Sequence, residues 1–149
     1  MTFPDSAVSA RLKLSPGWGL GVTEAMIRDL VHAFYGKVRQ DPELGPVFGR
    51  AISDWEPHLA RMCDFWSSVT LMTGRYHGTP MQVHAARPEI RPDHFARWLE
   101  LFEETAREIC PPDAAALFID RAQRIGESLQ IGIAVTRGAL PSAPTRACG

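Results

Sequence analysis

Apolar residues recur at three- and four-residue spacing along most of the chain, and no segment alternates with period two for long enough to form a strand. The expected class is therefore all-α. In the first run, Met26, Leu30, Phe34 and Val38 form one row, and Ile27, Val31 and Tyr35 the adjoining one. That stripe is wide enough to pack on more than one side. Thr23 is a good N-cap for it, and Glu24 suits the positive end of the helix dipole. Asp41-Pro42 then starts a short turn, with Pro42 where its missing N–H costs nothing, and the turn ends in Gly45-Pro46-Val47-Phe48.

A second long helix is expected from Asp54 to Thr73. Asp54 is a better cap than Ser53 because it keeps Pro57 in the first turn, where no backbone bond is forfeited. His58, Met62, Trp66 and Val69 or Thr70 fall along one face. Gly74 and Gly78 bracket a break, and Thr79-Pro80 restarts a helix that Pro88 keeps short, with His84 in its last turn. A further restart at Arg91-Pro92-Asp93 carries Phe95, Trp98, Leu99, Phe102, Ala106 and Ile109. Pro111-Pro112 separates it from a last helix capped by Asp113, whose stripe runs Ala114, Phe118, Ala122, Ile125, Leu129, Ile133. The organisation expected is an irregular extension over 1–22 with a helical turn around Ala7 to Leu12, a helical domain over 23–136, and a disordered tail over 137–149.

Composition narrows the function classes. At 149 residues the chain is long enough for one domain with a real core. A net charge of −1 and a pI near 6.5 leave no basic field for nucleic acid or for an anionic membrane surface. No apolar run approaches the length of a membrane span, and the N-terminus lacks a secretory pattern, so a cytoplasmic protein is expected. Cys63, Cys110 and Cys148 make neither a disulfide framework nor a zinc pattern. Cys63 reads as a small core residue, and Cys148 lies in the tail.

The candidate chemistry centres on residues 54–87. His58 and His84 are too far apart for one helix face but suit two helices enclosing a flat object. Haem is such an object: an imidazole binds its iron through one ring nitrogen while the other donates to a carbonyl or water. Its largely apolar macrocycle needs a slot of aromatic and aliphatic side chains, which Phe34, Phe48, Met62, Phe95, Trp98 and Leu99 can supply. A bound O2 carries partial negative charge, so a buried Tyr O–H or Trp N–H aimed at it is stabilising. Tyr35 and Trp98 both lie on core-facing stripes. Trp55 and Trp66 read as packing residues, and His32, His77 and His94 as surface residues. Arg61, Arg75 and Arg87 are candidate partners for haem propionates, against a default of solvated charge.

The strings FYGKVRQDPELGPVF, DWEPHLARMCDFWSSVTL, TGRYHGTPMQVHAARP and HFARWLELFEETA closely resemble the group III truncated haemoglobins. The resemblance covers about Met26 to Ile133 with matching motif spacing. It implies a two-over-two helical globin with a very short proximal helix, binding haem b. Carried over by position, it makes His84 the proximal iron ligand, Tyr35 the distal tyrosine, His58 the histidine of the distal helix and Trp98 the distal tryptophan. Met62 matches an apolar ligand-pocket position. Ala86-Arg87-Pro88 departs from the Leu-Pro-Pro frequent in the family.

The leading functional expectation is capture or detoxification of a diatomic ligand such as O2 or NO, rather than oxygen transport. The alternative is a haem enzyme, an NO dioxygenase or peroxidase-like protein. No flavin or nicotinamide fingerprint occurs in the chain, so such an enzyme would draw electrons from a separate reductase. A helical interaction module without haem is the third reading.

Overall fold

The computed structural model describes residues 10, 12–78, 80, 84, 87, 89–136 and 138. Among them every regular element is helical: α1 is Glu24–Gln40, α2 Leu44–Ala51, α3 Trp55–Leu71, α4 Pro92–Ile109 and α5 Pro112–Thr136. The expected tail over 137–149 lies outside the described residues apart from Gly138, as do Ala7 to Ser9 and most of the expected short helix after Thr79. Pro80 and His84 are themselves helical.

The helix starts follow local chemistry. The Thr23 hydroxyl accepts from the Met26 N–H at 3.1 Å and caps α1. Asp54 precedes α3 in extended conformation but makes no side-chain cap bond, and Pro57 falls in the first turn. Pro92 is the first residue of α4, where its missing N–H is harmless. Helix α3 ends where Met72 turns left-handed at φ 56°.

The Asp41-Pro42 corner differs from expectation. The segment to Ala51 is an eight-residue helix rather than a short turn. Asp41 organises it: one carboxylate oxygen accepts from the Glu43 and Leu44 N–H groups at 3.0 and 2.9 Å. Gly45 permits the tight entry, since a Cβ there would lie 2.9 Å from the Arg39 carbonyl. Arg97 on α4 grips the other Asp41 oxygen at 2.8 and 2.7 Å, fastening the corner to α4.

The helices form two pairs, α1 with α3 and α4 with α5, joined by contacts of α1 with α4 and α3 with α5. The expected stripes face inward: Ile27, Leu30, Phe34, Val38, Phe102 and Phe118 are almost fully buried. Phe102 stacks on Trp66 at 5.0 Å between centroids and on Trp98 at 5.6 Å, while Phe34 meets Phe102 edge-on at 5.1 Å. This aromatic stack ties α1, α3 and α4 together and fixes the Trp98 ring. The N-terminal segment docks on the end of α3 through a 2.8 Å bond from Gly17 N–H to the Thr70 carbonyl, a close approach that leaves no room for a side chain at 17.

Candidate functional site

A cavity of about 310 Å³ opens beside the aromatic stack, lined by residues of all five helices and by Pro80, His84 and Arg87. That volume lies at the low end of the range usual for small-molecule sites, ~300–1,000 Å³. Phe48, Met62, Phe65, Phe95, Ile125 and Leu129 make much of the wall apolar.

Of the residues singled out in the sequence, Tyr35, Phe48, His58, Met62, His84, Phe95 and Trp98 all line this one cavity. Two do not. Leu99 stands one layer back, its side chain against Gly126, where a Cβ would meet it at 3.6 Å. On α4, positions 95 and 98 share the cavity face, and position 99 is turned by one residue toward α5. Phe34 is consumed by the core, edge-on to Tyr35 at 4.9 Å and to Trp98 at 5.5 Å.

His84 has a fixed tautomer. Its Nδ1 lies 2.7 Å from the Pro80 carbonyl oxygen, which can only accept, so Nδ1 carries the proton. In the neutral ring the metal-binding lone pair then resides on Nε2. This bond runs from residue i to i−4 within one helical turn, so the turn that presents the imidazole also orients it. The Phe95 ring lies 6.0 Å away between centroids.

Tyr35 sits among rings: Phe48 and Trp55 at 5.9 Å and His58 at 5.0 Å. Burial pushes its phenol well above the usual range, and a hydrogen bond from the Trp98 side chain opposes that shift. The indole N–H can only donate, so the interaction between the two side chains runs from Trp98 toward the phenolic oxygen and leaves the Tyr35 proton for another acceptor.

The buried Nε2 of His58 has no hydrogen-bond partner among the described residues. An unmet buried polar atom costs roughly 1–3 kcal/mol, so such an atom in a cavity wall marks a place for a polar group to bind. Burial, with a smaller push from the Arg61 charge, lowers the His58 pKa to about 4. His58 is therefore neutral at physiological pH.

The three candidate arginines separate. Arg61 and Arg87 line the cavity. Arg75 is held elsewhere, by Glu24 at 2.6 Å and Asp64 at 3.3 Å. His32 and His77 are exposed, as expected. His94 is not: only 8% exposed, it accepts the Arg91 N–H through Nδ1 at 2.9 Å and so caps α4. A histidine at the third helical position reads in sequence as polar surface, and only the bond reveals the cap. Trp66, Tyr76, His94 and Gly126 also line the cavity without having been singled out for it. Trp66 carried a signal, lying one turn beyond Met62 on the same face. Gly126 carried none.

The arrangement joins one tautomer-fixed imidazole, a donor pair, a neutral base and a cationic edge within apolar walls. This donor set fits a haem, which asks for a single imidazole ligand, apolar contact over its faces and cations near its carboxylates.

No family model matches the chain. It is 34% identical over 113 residues to the group 3 truncated hemoglobin ctb of Campylobacter jejuni, covering 73% of this chain and 89% of that protein. The fold is similar to the crystal structure of a group III truncated hemoglobin from Campylobacter jejuni, with a TM-score of 0.72 at 33% identity. That match covers 75% of this chain and 91% of the other.

Proposed function

The chain belongs to the group III truncated haemoglobins and is a haem-binding globin, and from that premise we propose that haem b fills the cavity with His84 as its iron ligand, Tyr35 and Trp98 serving a diatomic ligand such as O2 or NO. The observation that carries this reading is the Trp98–Tyr35 donor pair in the same cavity as a histidine whose Nδ1 is already engaged. When bound, the haem supplies the metal centre at which the ligand is held. The remaining selectivity belongs to the side chains.

Trp98 donates to the Tyr35 oxygen, which polarises the Tyr35 O–H and strengthens it as a donor to a partly negative ligand. Low surrounding polarity makes that bond stronger than it would be in water. Arg61 and Arg87 line the cavity and are the cations assigned to the propionates, Arg75 lying outside that lining. Polar stabilisation slows ligand escape, so the reading is capture or detoxification by a cytoplasmic protein rather than bulk oxygen transport. Displacing O2 with CO in a stopped-flow instrument tests it. Release over seconds or longer is expected, and release within milliseconds would contradict it.

One observation favours an enzymatic reading. His58 offers a neutral imidazole inside the cavity, able to hydrogen-bond and orient a bound substrate such as a peroxide. NO dioxygenase or peroxidase-like turnover would need electrons from a separate reductase. Sustained NO or peroxide consumption with added reductant would support turnover, whereas a single stoichiometric burst would leave capture as the function.

A further inference from the structure

His94 is a second buried histidine in the cavity wall, and nothing above gives it a chemical task beyond capping α4. Its Nδ1 accepts a backbone N–H, that of Arg91, at 2.9 Å. An amide only donates, so this nitrogen is unprotonated and the ring proton sits on Nε2. The ring is consequently a fixed donor and cannot relay a proton through both nitrogens. The residue is only 8% exposed, its Nε2 has no hydrogen bond to another described residue, and that atom is not among the fully shielded unpaired ones, so it opens onto the pockets that His94 lines.

Its location is equally specific. His94 lines the central cavity and also a second, open pocket of about 360 Å³ formed with Glu43, Pro46, Arg50, Glu89 and Arg91. Val47 and His94 are the residues common to the two. Arg50 and Arg91 bring positive charge to the outer pocket, and the start of the eighteen-residue helix α4 adds its positive dipole end. Glu43 and Glu89 oppose them, the latter offset by Arg87 at 3.6 Å.

We propose that His94 is a binding residue for a carboxylate, donating its Nε2 proton to an acid group seated at the wall between the two pockets. The carboxylate has two possible sources, a propionate of the bound haem or a small carboxylic acid in the outer pocket. This inference rests on the haem reading only for the first source.

The test follows the His94 Nε2 proton by NMR in protein labelled at histidine nitrogen. In the ferrous CO form, that resonance is compared between protein loaded with protohaem and protein loaded with its dimethyl ester. A downfield position with the acid that is lost with the ester identifies the propionate. If the two agree, the ester-loaded protein is titrated with succinate, and a saturable downfield shift identifies an acid in the outer pocket. No change in either arm overturns the proposal. Haem addition that yields no Soret band would defeat the haem reading instead, and succinate titration of the haem-free protein would then decide the His94 proposal alone.

Substitutions give an independent readout. At the third helical position His94→Gln and His94→Glu both retain a capping acceptor, but only Gln retains a donor. Where the propionate is the partner, His94→Glu should release ferric protohaem to excess apomyoglobin roughly ten-fold faster than wild type, with His94→Gln close to wild type. With the dimethyl ester that difference should vanish. Equal haem loss from the Gln and Glu variants with protohaem would contradict the propionate source.

Discussion

The Tyr35 and His58 rings meet edge to face, with centroids 5.0 Å apart and planes at 87°. Trp55 packs on the other members of the cluster, 5.5 Å from His58 and likewise at 87°. His58 is thus held within an aromatic cluster, with its buried Nε2 unmatched. A charge placed there would lack a counter-ion and would face the nearby Arg61 charge.

That environment has an acid-stability consequence. The His58 pKa falls from 6.5 to about 4 on folding, so between these values the unfolded chain binds a proton that the native chain refuses. Stability is lost as pH falls through this window, and the neutral side of 6.5 is unaffected. Discounted for partial exposure, the difference between pH 7.5 and pH 5 is about 1–2 kcal/mol. Urea titrations should show this extra loss in wild type and its removal in His58→Leu. An identical pH dependence in the two proteins would refute the placement of a neutral His58 in the cluster.

His84→Ala should abolish the normal axial coordination of the iron. The ferric, ferrous and CO-bound absorption spectra report it, and added imidazole should restore a histidine-like spectrum. Unchanged spectra in His84→Ala would show that another group holds the iron.

Asp41 makes the corner between α1 and α2 a point of high sensitivity. Its side chain is 2% exposed and is met by Arg97 and two backbone N–H groups. Arg97 and those backbone bonds outweigh burial and hold its carboxyl below the usual range. Removing it strands the Glu43 and Leu44 N–H groups and releases Arg97, which keeps Glu100, from the corner, at a cost of about 2–3 kcal/mol. Chemical denaturation of Asp41→Ala checks this, and Asp41→Asn should fall between the two. A near-neutral Asp41→Ala would contradict the fastening role.

Where the sequence was legible, the signal was local. Thr23 and Pro92 mark helix starts because capping chemistry depends on residues within one turn. The α1 and α4 stripes are read directly from spacing. What could not be read depends on contacts distant in sequence or on one missing atom. Asp41 looks like an ordinary residue before proline until Arg97, far along the chain, is seen gripping it. Arg75 resembles a free cation until Glu24 is seen holding it. Leu99 and Trp98 are adjacent, and periodicity alone does not say which faces the cavity and which faces Gly126. His94 hides its role because capping by a ring nitrogen looks in sequence like surface polarity.

Tyr35 and Trp98 carry the central claim, and the O2 dissociation rate of the ferrous protein tests it most directly. Losing a hydrogen bond to a partly charged ligand in a low-polarity site is worth ~1.5–3 kcal/mol. Tyr35→Phe should therefore accelerate release by roughly ten-fold or more. Trp98→Phe, which keeps an aromatic ring on the Phe102 stack, should also accelerate it. The double variant should add less than the product of the two, since Trp98 acts partly through Tyr35. No acceleration in either variant, or in both together, would contradict the assignment of these residues as the ligand's donors.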